Sequence, residues 1–353
     1  MSTHASWSRF TILSIAAEKV ARYYALRQGM TNPPDFEVTT GGAIALPIAA
    51  IARKSPSRLF WERFRQDKAA LAGGVAIIVL ILIAIFGGPL AESLTGHPQN
   101  TSYNQMTDAF GVPLGPNSQF WFGADAAGRD LFVRTMYGAR TSLFVGIVAS
   151  GIAVLIGLIV GLTAGFFGGL VDTLLSRAAD VLLAVPQILI AVGVVAACST
   201  TKNGCLGGLI QPGITVVIAV ITIFSWSYIA RIVRGYTLSL REKEFVESAR
   251  AAGASNTRIL ATEILPNLVG PLIVYSTLLI PTNILFEAAL SYLGLGVPAD
   301  QASWGSILSD ASQLYDVAWW LMVFPGGFLI LTTLAFNLLG DGLRDAFDVR
   351  SER

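Results

Sequence analysis

The segment "REKEFVESARAAGASNTRILATEILPN", residues 241–267, is a polar stretch between two long apolar runs, and we call its residues 241–266 the hairpin. Its first part follows a helical period, which groups three residues on one face: Phe245, Ala249 and Ala252. Three charged residues lie away from that face: Glu244, Glu247 and Arg250. The pattern predicts a short helix whose sides differ in chemistry.

A glycine and a capping residue divide the hairpin. Gly253 can adopt the left-handed conformation that ends a helix, and Ser255 or Asn256 can cap the next one. The second helix leads to Leu265 and Pro266, where a proline fits the first turn of a longer helix. The hairpin is either simply solvated or a docking element, and its alanine-rich face and abrupt turn favour docking.

The apolar runs around the hairpin indicate a membrane protein. Of the 353 residues, 53% are hydrophobic and 13% are charged, against about 25% charged in soluble domains. A helix needs about 20 apolar residues to cross a bilayer. Six charge-free windows meet that length: 69–91, 141–171, 181–201, 203–230, 264–286 and 317–340. The sequence therefore predicts an all-α polytopic membrane protein with six transmembrane helices.

Two segments near the N-terminus are harder to interpret. Residues 38–52 are apolar but short and contain Pro47, which favours a loop or interfacial segment over a re-entrant one. Residues 9–28 form either a basic amphipathic helix on the membrane surface or a disordered extension. They do not resemble a secretory signal, because Glu18 and Lys19 interrupt the apolar run.

Basic residues predict the orientation of the spans, because Lys and Arg favour the cytoplasmic side. Counted from Arg53 onward, sixteen Lys and Arg residues lie before the first window, between the second and third windows, between the fourth and fifth windows, where the hairpin is, or after the last window. Four lie in the links that would face the other side of the membrane. We therefore expect the hairpin and both termini to be cytoplasmic. The predicted parts are a cytoplasmic extension over 1–56, an amphipathic anchor and first span over 57–94, an extracytoplasmic capping loop over 95–139, a transmembrane core over 140–341 and a cytoplasmic tail over 342–353.

Small residues and cysteines add two structural expectations. Gly157, Gly161 and Gly165 share one helical face of the second window, which predicts close packing against another helix. Cys198 and Cys205 lie in or beside the predicted second outer loop, where they are either joined in a disulfide or left as two unpaired thiols.

The outer loop contains "GADAAGRD", residues 123–130, which has the spacing of a phosphate-binding loop. The chemistry does not fit, because Arg129 and Asp130 replace the lysine and the hydroxyl that hold phosphate and magnesium. We instead expect Asp125, Arg129 and Asp130 to form charge pairs and turn contacts that order the outer loop.

The hairpin resembles the E-A-A-x-x-x-G signature of permease subunits in ATP-binding-cassette (ABC) importers, here Glu247, Ser248, Ala249 and Gly253, followed by Leu265 and Pro266. Ser248 stands at the first alanine of the signature, which is a small-for-small change. Three further stretches are similar to the C-type permease of dipeptide and oligopeptide importers: "FGADAAGRDLFVRTMYGARTSLFVG", "EAALSYLGLGVPADQASWGSILSDA" and "FNLLGDGLRDAFDVR". The resemblance covers residues 57–350.

This resemblance implies a type I ABC importer permease fold in a bacterial cell (inner) membrane. The implied partners are a second, homologous permease subunit, two cytoplasmic ATPase subunits, an extracytoplasmic substrate-binding protein and the lipid bilayer. ATP and magnesium would be bound by the ATPase subunits, with no cofactor on this chain. The cargo would be di- or oligopeptides, with nickel or another small solute as the alternative. The ATPase-coupling residues would be Glu244, Phe245, Glu247, Ala249, Ala252, Gly253, Leu265 and Pro266.

Glu287 is the acid that follows the fifth window, near its predicted outer end. Ionisable groups in a membrane are candidate functional residues, so Glu287 could contact the amino end of a peptide on the translocation path or at an outer gate. It could equally pair with Arg134 or Arg140, and we favour that structural ion pair.

Other classes of function fit the sequence less well. A net charge of +1 gives no general attraction for nucleic acid. His4 and His97 lack partners at metal-ligand spacing, and no catalytic motif is present, so we expect neither a metal site nor an enzyme. A gradient-driven secondary carrier is a more distant alternative, because no inverted repeat is recognisable, and a membrane scaffold is a third.

Overall fold

The computed structural model describes residues 56–199, 205, 208, 210–211, 213–298 and 300–347. Its larger compact unit spans Leu59–Arg353. The expectations for residues 9–28 and 38–52, and for residues 1–55 of the predicted extension and 348–353 of the predicted tail, lie outside the described residues.

The described residues form helices joined by turns and isolated bridges. In chain order the helices are α1 (Pro56–Gln66), α2 (Lys68–Leu82), a π-helical turn (Ile83–Gly87), α3 (Gly88–Thr95), a 3-10 turn (Asn104–Met106), α4 (Leu131–Phe167), α5 (Gly169–Ala184), α6 (Gln187–Ser199), α7 (Ile214–Arg241), α8 (Glu244–Ala251), α9 (Asn256–Arg258), a second π-helical turn (Ile259–Ile264), α10 (Leu265–Tyr292), α11 (Trp304–Ala311) and α12 (Trp320–Phe347).

Five continuous helical segments of the described chain are long and apolar enough to cross a membrane. They are Lys68–Thr95, Leu131–Phe167, Ile214–Arg241, Asn256–Tyr292 and Trp320–Phe347. The prediction of an all-α polytopic membrane protein is confirmed.

The remaining predicted span is broken. Helices α5 and α6 meet at an angle of 86° and form a sixth span only if the bent pair is counted as one. The cause is Pro186, because the residue before a proline is pushed out of the helical conformation, and Val185 is extended with φ −92° and ψ 139°. The charge-free window 181–201 therefore spans the break and does not mark one straight helix.

Helices α4 and α7 run parallel and pack through glycine. A Cβ on Gly157 would lie 2.7 Å from Cβ of Ile229, and one on Gly165 would lie 2.7 Å from Cβ of Thr237. Gly161 is equally close, since its Cβ would lie 2.6 Å from the carbonyl oxygen of Ala230. The predicted close packing along this glycine face is confirmed.

The other main contacts are antiparallel and define two ends of the bundle. Gly146 on α4 contacts Ile284 on α10, and Gly73 on α2 contacts Ala335 on α12. At the far end of α12, the ring of Phe347 lies 4.5 Å from that of Phe60. Helix α1, the hairpin and the end of α12 therefore share one end of the bundle.

The opposite end carries residues 96–130, which we call the cap. Helix α4 begins at Leu131, so the last part of the predicted loop over 95–139 is helical. The cap itself contains the 3-10 turn and isolated bridges. Met106, Phe120 and Ala124 form its small buried cluster. Polar turn contacts therefore carry much of its order.

Candidate functional site

The first helix of the hairpin ends in a fully formed reversal. Gly253 has φ +78°, its N–H donates to the carbonyl of Arg250, and the N–H of Ala254 donates to the carbonyl of Ala249, each at 3.0 Å. This pair of bonds is the Schellman closure of a helix C-terminus. Ser255 then caps the next helix by accepting from the N–H of Arg258 at 3.4 Å. The predicted stop and the serine cap are confirmed.

The second half of the hairpin is continuous with the following span. The sequence predicted a separate second helix before the fifth span, but helix runs from Asn256 to Tyr292 without interruption. A π-helical turn over Ile259–Ile264 directly precedes Leu265 and Pro266. A proline ring clashes with the carbonyl four residues earlier in an α-helix. The wider π turn relieves that clash, so Pro266 is accommodated inside a longer helix.

An apolar anchor fixes the hairpin to the bundle. Val246, Ile259 and Ile264 are all fully buried and pack in one cluster with Phe166 of α4 and Val233 of α7. Burying each such side chain stabilises the contact by about 1.5–3 kcal/mol. The hairpin is therefore held to the ends of both parallel helices.

The opposite face of α8 is open. Phe245 is 39% exposed, Glu244, Glu247 and Ala252 are exposed, and Ala249 is half-buried against the anchor. The sequence grouped Phe245 and Ala249 on one face but did not identify Val246, which lies three positions before Ala249.

Glu244 and Glu247, the two carboxylates on this face, form no ion pair with a described residue. Arg241 forms its ion pair with Glu242 at 2.9 Å and donates to the carbonyl of Gly165 at 3.0 Å. Within the described residues, Glu247 has no ion pair with Arg241 or Arg250. The site thus presents a carboxylate, an aromatic ring and a small-residue surface on a rigid support.

The three acidic and basic residues predicted to order the outer loop all do so. Asp125 is fully buried, accepts from the N–H groups of Ala127 and Arg129 at 2.9 Å, and binds the Arg129 side chain at 2.7 Å. Its Oδ2 also lies 3.0 Å from Nε of Arg134, which is 2% exposed. A buried carboxylate between two guanidinium groups therefore holds the cap onto the start of α4.

Asp130 makes the second set of cap contacts. It caps α4 by accepting from the N–H groups of Phe132 at 2.9 Å and Val133 at 3.3 Å. Its other oxygen lies 2.7 Å from Nδ1 of His97, whose ring stacks on Phe120 with centroids 4.3 Å apart. The sequence identified His97 as an isolated histidine and did not predict this contact, which joins residues far apart in the chain.

Two groups near these carboxylates have shifted pKa values. Burial, together with the negative charge of Asp130, raises the pKa of the Tyr103 hydroxyl. Burial and the Asp125 carboxylate raise the pKa of Asp310, and the charges of Arg129 and Arg134 oppose that rise. Asp310 on α11 therefore lies close enough to the cap and to the start of α4 to respond to their charges.

Glu287 occupies a different setting from the one predicted. Its side chain is fully buried, and its carboxylate accepts from the hydroxyls of Ser142 at 2.9 Å and Ser291 at 2.6 Å. The favoured ion pair is wrong, because Arg134 lies beside Asp125 and no described basic residue pairs with Glu287. Ser142 in turn accepts from the N–H of Trp304 at 3.3 Å. Glu287 therefore joins α4, α10 and α11.

We expect Glu287→Gln to retain most of the thermal stability of the detergent-solubilised protein, because its amide oxygen can accept from one serine and its amide N–H can donate to the hydroxyl of the other. Glu287→Leu is expected to lose about 1–3 kcal/mol, since it leaves buried hydroxyls without an acceptor. Thermal unfolding of the two variants beside wild type checks this. Equal losses in both variants would contradict the serine network as the role of the carboxylate.

The disulfide considered for Cys198 and Cys205 is confirmed. The two sulfurs are bonded, and the Cα atoms lie 5.0 Å apart. The bridge joins the last turn of α6 to the segment before α7, at the same end of the bundle as the cap.

Comparison with known proteins decides the family. Residues 153–353 match the family model described as the binding-protein-dependent transport system inner membrane component. Residues 55–113 match the N-terminal transmembrane domain of oligopeptide transport permease C. The chain belongs to the binding-protein-dependent family of ABC transporter permeases. The permease is therefore a multi-pass inner-membrane protein, as the sequence predicted.

Curated relatives cover most of the permease. It is 39% identical to the oligopeptide transport system permease protein OppC of Bacillus subtilis (strain 168), over 90% of this chain and 98% of that protein. It is 42% identical to the dipeptide transport system permease protein DppC of Alkalihalophilus pseudofirmus, over 83% and 90%. It is 41% identical to the glutathione transport system permease protein GsiD of Escherichia coli O157:H7, over 84% and 91%.

Among solved structures, the permease is similar to a chain of the inward-facing MetNI methionine ABC transporter. The identity is 20% and the TM-score is 0.47, over 59% of this chain and 94% of that one.

Proposed function

We propose that the permease is the membrane-spanning subunit of an ATP-driven importer that carries di- or oligopeptides. Separate ATPase subunits bind the hairpin, and an extracytoplasmic binding protein delivers the peptide. The observation that carries this proposal is the hairpin itself, where α8 is closed by Gly253, anchored by Val246, and open on the side of Phe245 and Glu247. A rigid, exposed element of this kind can pass on a force that a flexible loop would absorb.

The proposed orientation places the hairpin, α1 and the end of α12 in the cytoplasm and the cap outside. Two facts support it. These three elements share one end of the bundle, and that end carries most of the Lys and Arg residues, which favour the cytoplasmic side. A disulfide at the other end fits an oxidising exterior.

The proposed cargo rests on the relatives, whose names refer to oligopeptides, dipeptides and glutathione. The chemistry of ATP hydrolysis is assigned to the ATPase partners, which hold ATP and magnesium. A second permease subunit completes the membrane passage. This chain supplies one wall of the passage and one contact with the ATPases.

Reconstitution tests the proposal. The permease, its second permease subunit, the ATPases and the binding protein are placed in proteoliposomes, and peptide uptake is measured with and without ATP. ATP-dependent uptake is the expected result. Uptake by this chain alone, driven by a proton or sodium gradient, would contradict the proposal and identify a secondary carrier.

Crosslinking tests the docking surface directly. A cysteine at Ala252, which is exposed at the end of α8, is expected to crosslink to an ATPase subunit. A cysteine at Gln119, which is exposed in the cap, is the control and should give no such product. Crosslinking from both positions or from neither would contradict the assignment.

We expect Gly253→Val to reduce peptide uptake per ATP hydrolysed several-fold while membrane insertion stays normal. No described residue beyond its chain neighbours has an atom within 4 Å of a Cβ at this position, so the effect comes from the backbone. A left-handed conformation costs a residue with a side chain about 1–2 kcal/mol, and a β-branched one is among the least tolerant. The measurement is the ratio of uptake to hydrolysis in proteoliposomes.

Gly253→Asn is the matched control, because asparagine tolerates the left-handed region. It is expected to keep the wild-type ratio. If the valine and asparagine variants behaved alike, the reversal at Gly253 would have no part in coupling.

A further inference from the structure

A cavity of about 420 Å³ lies beside the break between α5 and α6. Its wall comes from that break and from the middle parts of α7, α10 and α12, so it lies at mid-depth in the bundle. Aromatic and aliphatic side chains, including Phe224 and Phe286, form its apolar part. Six uncharged polar residues also line it: Gln187, Ser225, Tyr228, Thr282, Asn283 and Asn337.

The described wall of this cavity contains no charged side chain. Polar groups at the depth of a bilayer are costly unless they meet one another or a polar passage. Broken helices are tolerated there for the same reason, where they border a cavity. The bend at Pro186 places Gln187, the first residue of α6, directly in the wall.

Part of this polar surface is already engaged. Asn283 is 3% exposed, donates from Nδ2 to the hydroxyl of Ser150, and accepts at Oδ1 from the hydroxyl of Ser225, both at 2.8 Å. The network ties α4, α7 and α10 together behind the cavity. Asn283 is therefore a positioning residue that fixes the shape of the wall.

Three other side chains are free to meet a ligand. Gln187 is half-buried, whereas Tyr228 and Asn337 are exposed to the cavity. None of the three makes a side-chain hydrogen bond to a described residue. The two amides each offer donors and an acceptor without carrying a charge.

We propose that this cavity contacts the main-chain amides of the passing peptide, with Gln187 and Asn337 as the contact residues. This inference rests on the proposed function and specifies the site. A neutral amide can pair with the backbone N–H and C=O of any residue except proline, which has only the C=O, so the contacts depend little on the peptide's side chains. The uncharged wall gives no counter-charge that would retain either charged end of the peptide.

The test compares two probes in proteoliposomes containing the complete transporter and saturating binding protein. One is trialanine, and the other is its analogue with one main-chain amide replaced by an ester, which lacks the N–H donor but keeps charge and size. We expect Gln187→Met, and separately Asn337→Leu, to lower trialanine uptake about fivefold, the effect of one lost hydrogen bond. Uptake of the ester should fall less, so the ratio between the probes shrinks.

Two controls isolate the amide. Gln187→Asn keeps an amide at the site and is expected to retain most of the discrimination. Gln66→Met makes the same chemical change at the exposed end of α1 and should leave both rates unchanged. Each cavity variant gives the ratio of the two probes by itself. One variant with measurable uptake of both probes is therefore enough to decide the question.

The outcomes separate the two proposals. The wild-type complex could import trialanine with ATP while both variants keep the wild-type ratio of trialanine to ester uptake. That outcome would overturn the inference and leave the proposed function intact. A wild-type complex without ATP-dependent uptake of trialanine would overturn the proposed function and the inference with it. A reduced ratio of trialanine uptake to ester uptake in either variant supports both the proposed function and the inference.

Discussion

Gly161→Leu is expected to prevent stable packing of α4 against α7 and to remove most of the folded protein from a detergent extract. A Cβ at this position would lie 2.6 Å from the carbonyl oxygen of Ala230 and 2.7 Å from Cβ of Val233. Overpacking typically costs about 1–3 kcal/mol and sometimes more. We expect a cost at the top of that range, because one of the obstacles is backbone, which cannot rotate away.

The same helix supplies the matched control. Gly151 is exposed and, in the part of the chain that the structure describes, has no neighbouring side chain or helix within 4 Å of its Cβ position, so Gly151→Leu should give near-normal yield. Size-exclusion profiles and thermal unfolding of both variants provide the measurement. If the two leucines had equal effects, helix propensity or lipid contact would matter more than the distance between the helices.

Asp125→Leu is expected to cost about 3–5 kcal/mol and to release the cap from the start of α4. That range applies when one partner of a buried ion pair is removed and the other stays buried without its counter-charge. The residue left behind is Arg134, which is 2% exposed. The substitution also removes the acceptor for the N–H groups of Ala127 and Arg129. Hydrogen exchange over residues 96–130 measures the release.

Asp108→Leu is the control within the cap. Asp108 also accepts from two N–H groups, those of Phe110 and Val112, but it is exposed and faces no buried cation. Its replacement should loosen only that turn. The double variant Asp125→Leu with Arg134→Met should recover part of the loss, because it removes the stranded charge. If the double variant recovered none of the stability lost in Asp125→Leu, the stranded charge of Arg134 would not be the main cause of that loss.

The spans were predictable from sequence because a bilayer penalises charge, so charge-free windows mark the helices. The absence of charge does not show whether a helix is straight or bent. Residues 181–201 contain no charge on either side of Pro186, so the 86° bend was missed. The proline itself was the available signal. The start of α4 was missed for a related reason. The charges of Arg134 and Arg140 place them in the outer loop by the same criterion, although both lie in α4 and Arg134 is buried there.

Partners distant in the chain were less predictable. Glu287 was expected to find an arginine because opposite charges attract, but its partners Ser142 and Ser291 carry no charge. One of these is 145 positions away in the chain. Spacing alone cannot choose among such candidates. His97 and Val246 were missed for the same reason, since neither belongs to a local pattern that marks its contact.

Within the hairpin, prediction succeeded where the contact is local. The helix stop at Gly253 and the cap at Ser255 depend on neighbours a few positions away. The burial of the anchor residues depends on their contacts with α4 and α7, so it could be determined only from the structure. The coupling role of the hairpin residues stays a prediction until the crosslinking and uptake experiments are done.

Helix α7 connects the hairpin to the cavity mechanically. Its 28 residues make it roughly 40 Å long, at about 1.5 Å per residue. Because the glycines of α4 let the side chains of Ile229, Val233 and Thr237 lie directly against its backbone, we expect the two helices to move together. At the other end of α7, Val216 and Val217 are buried in an apolar cluster, which we expect to hold that end in place. A sideways displacement of the hairpin is then expected to move the cavity wall at Ser225 in the same direction and by a smaller amount, because Ser225 lies between the two ends of α7.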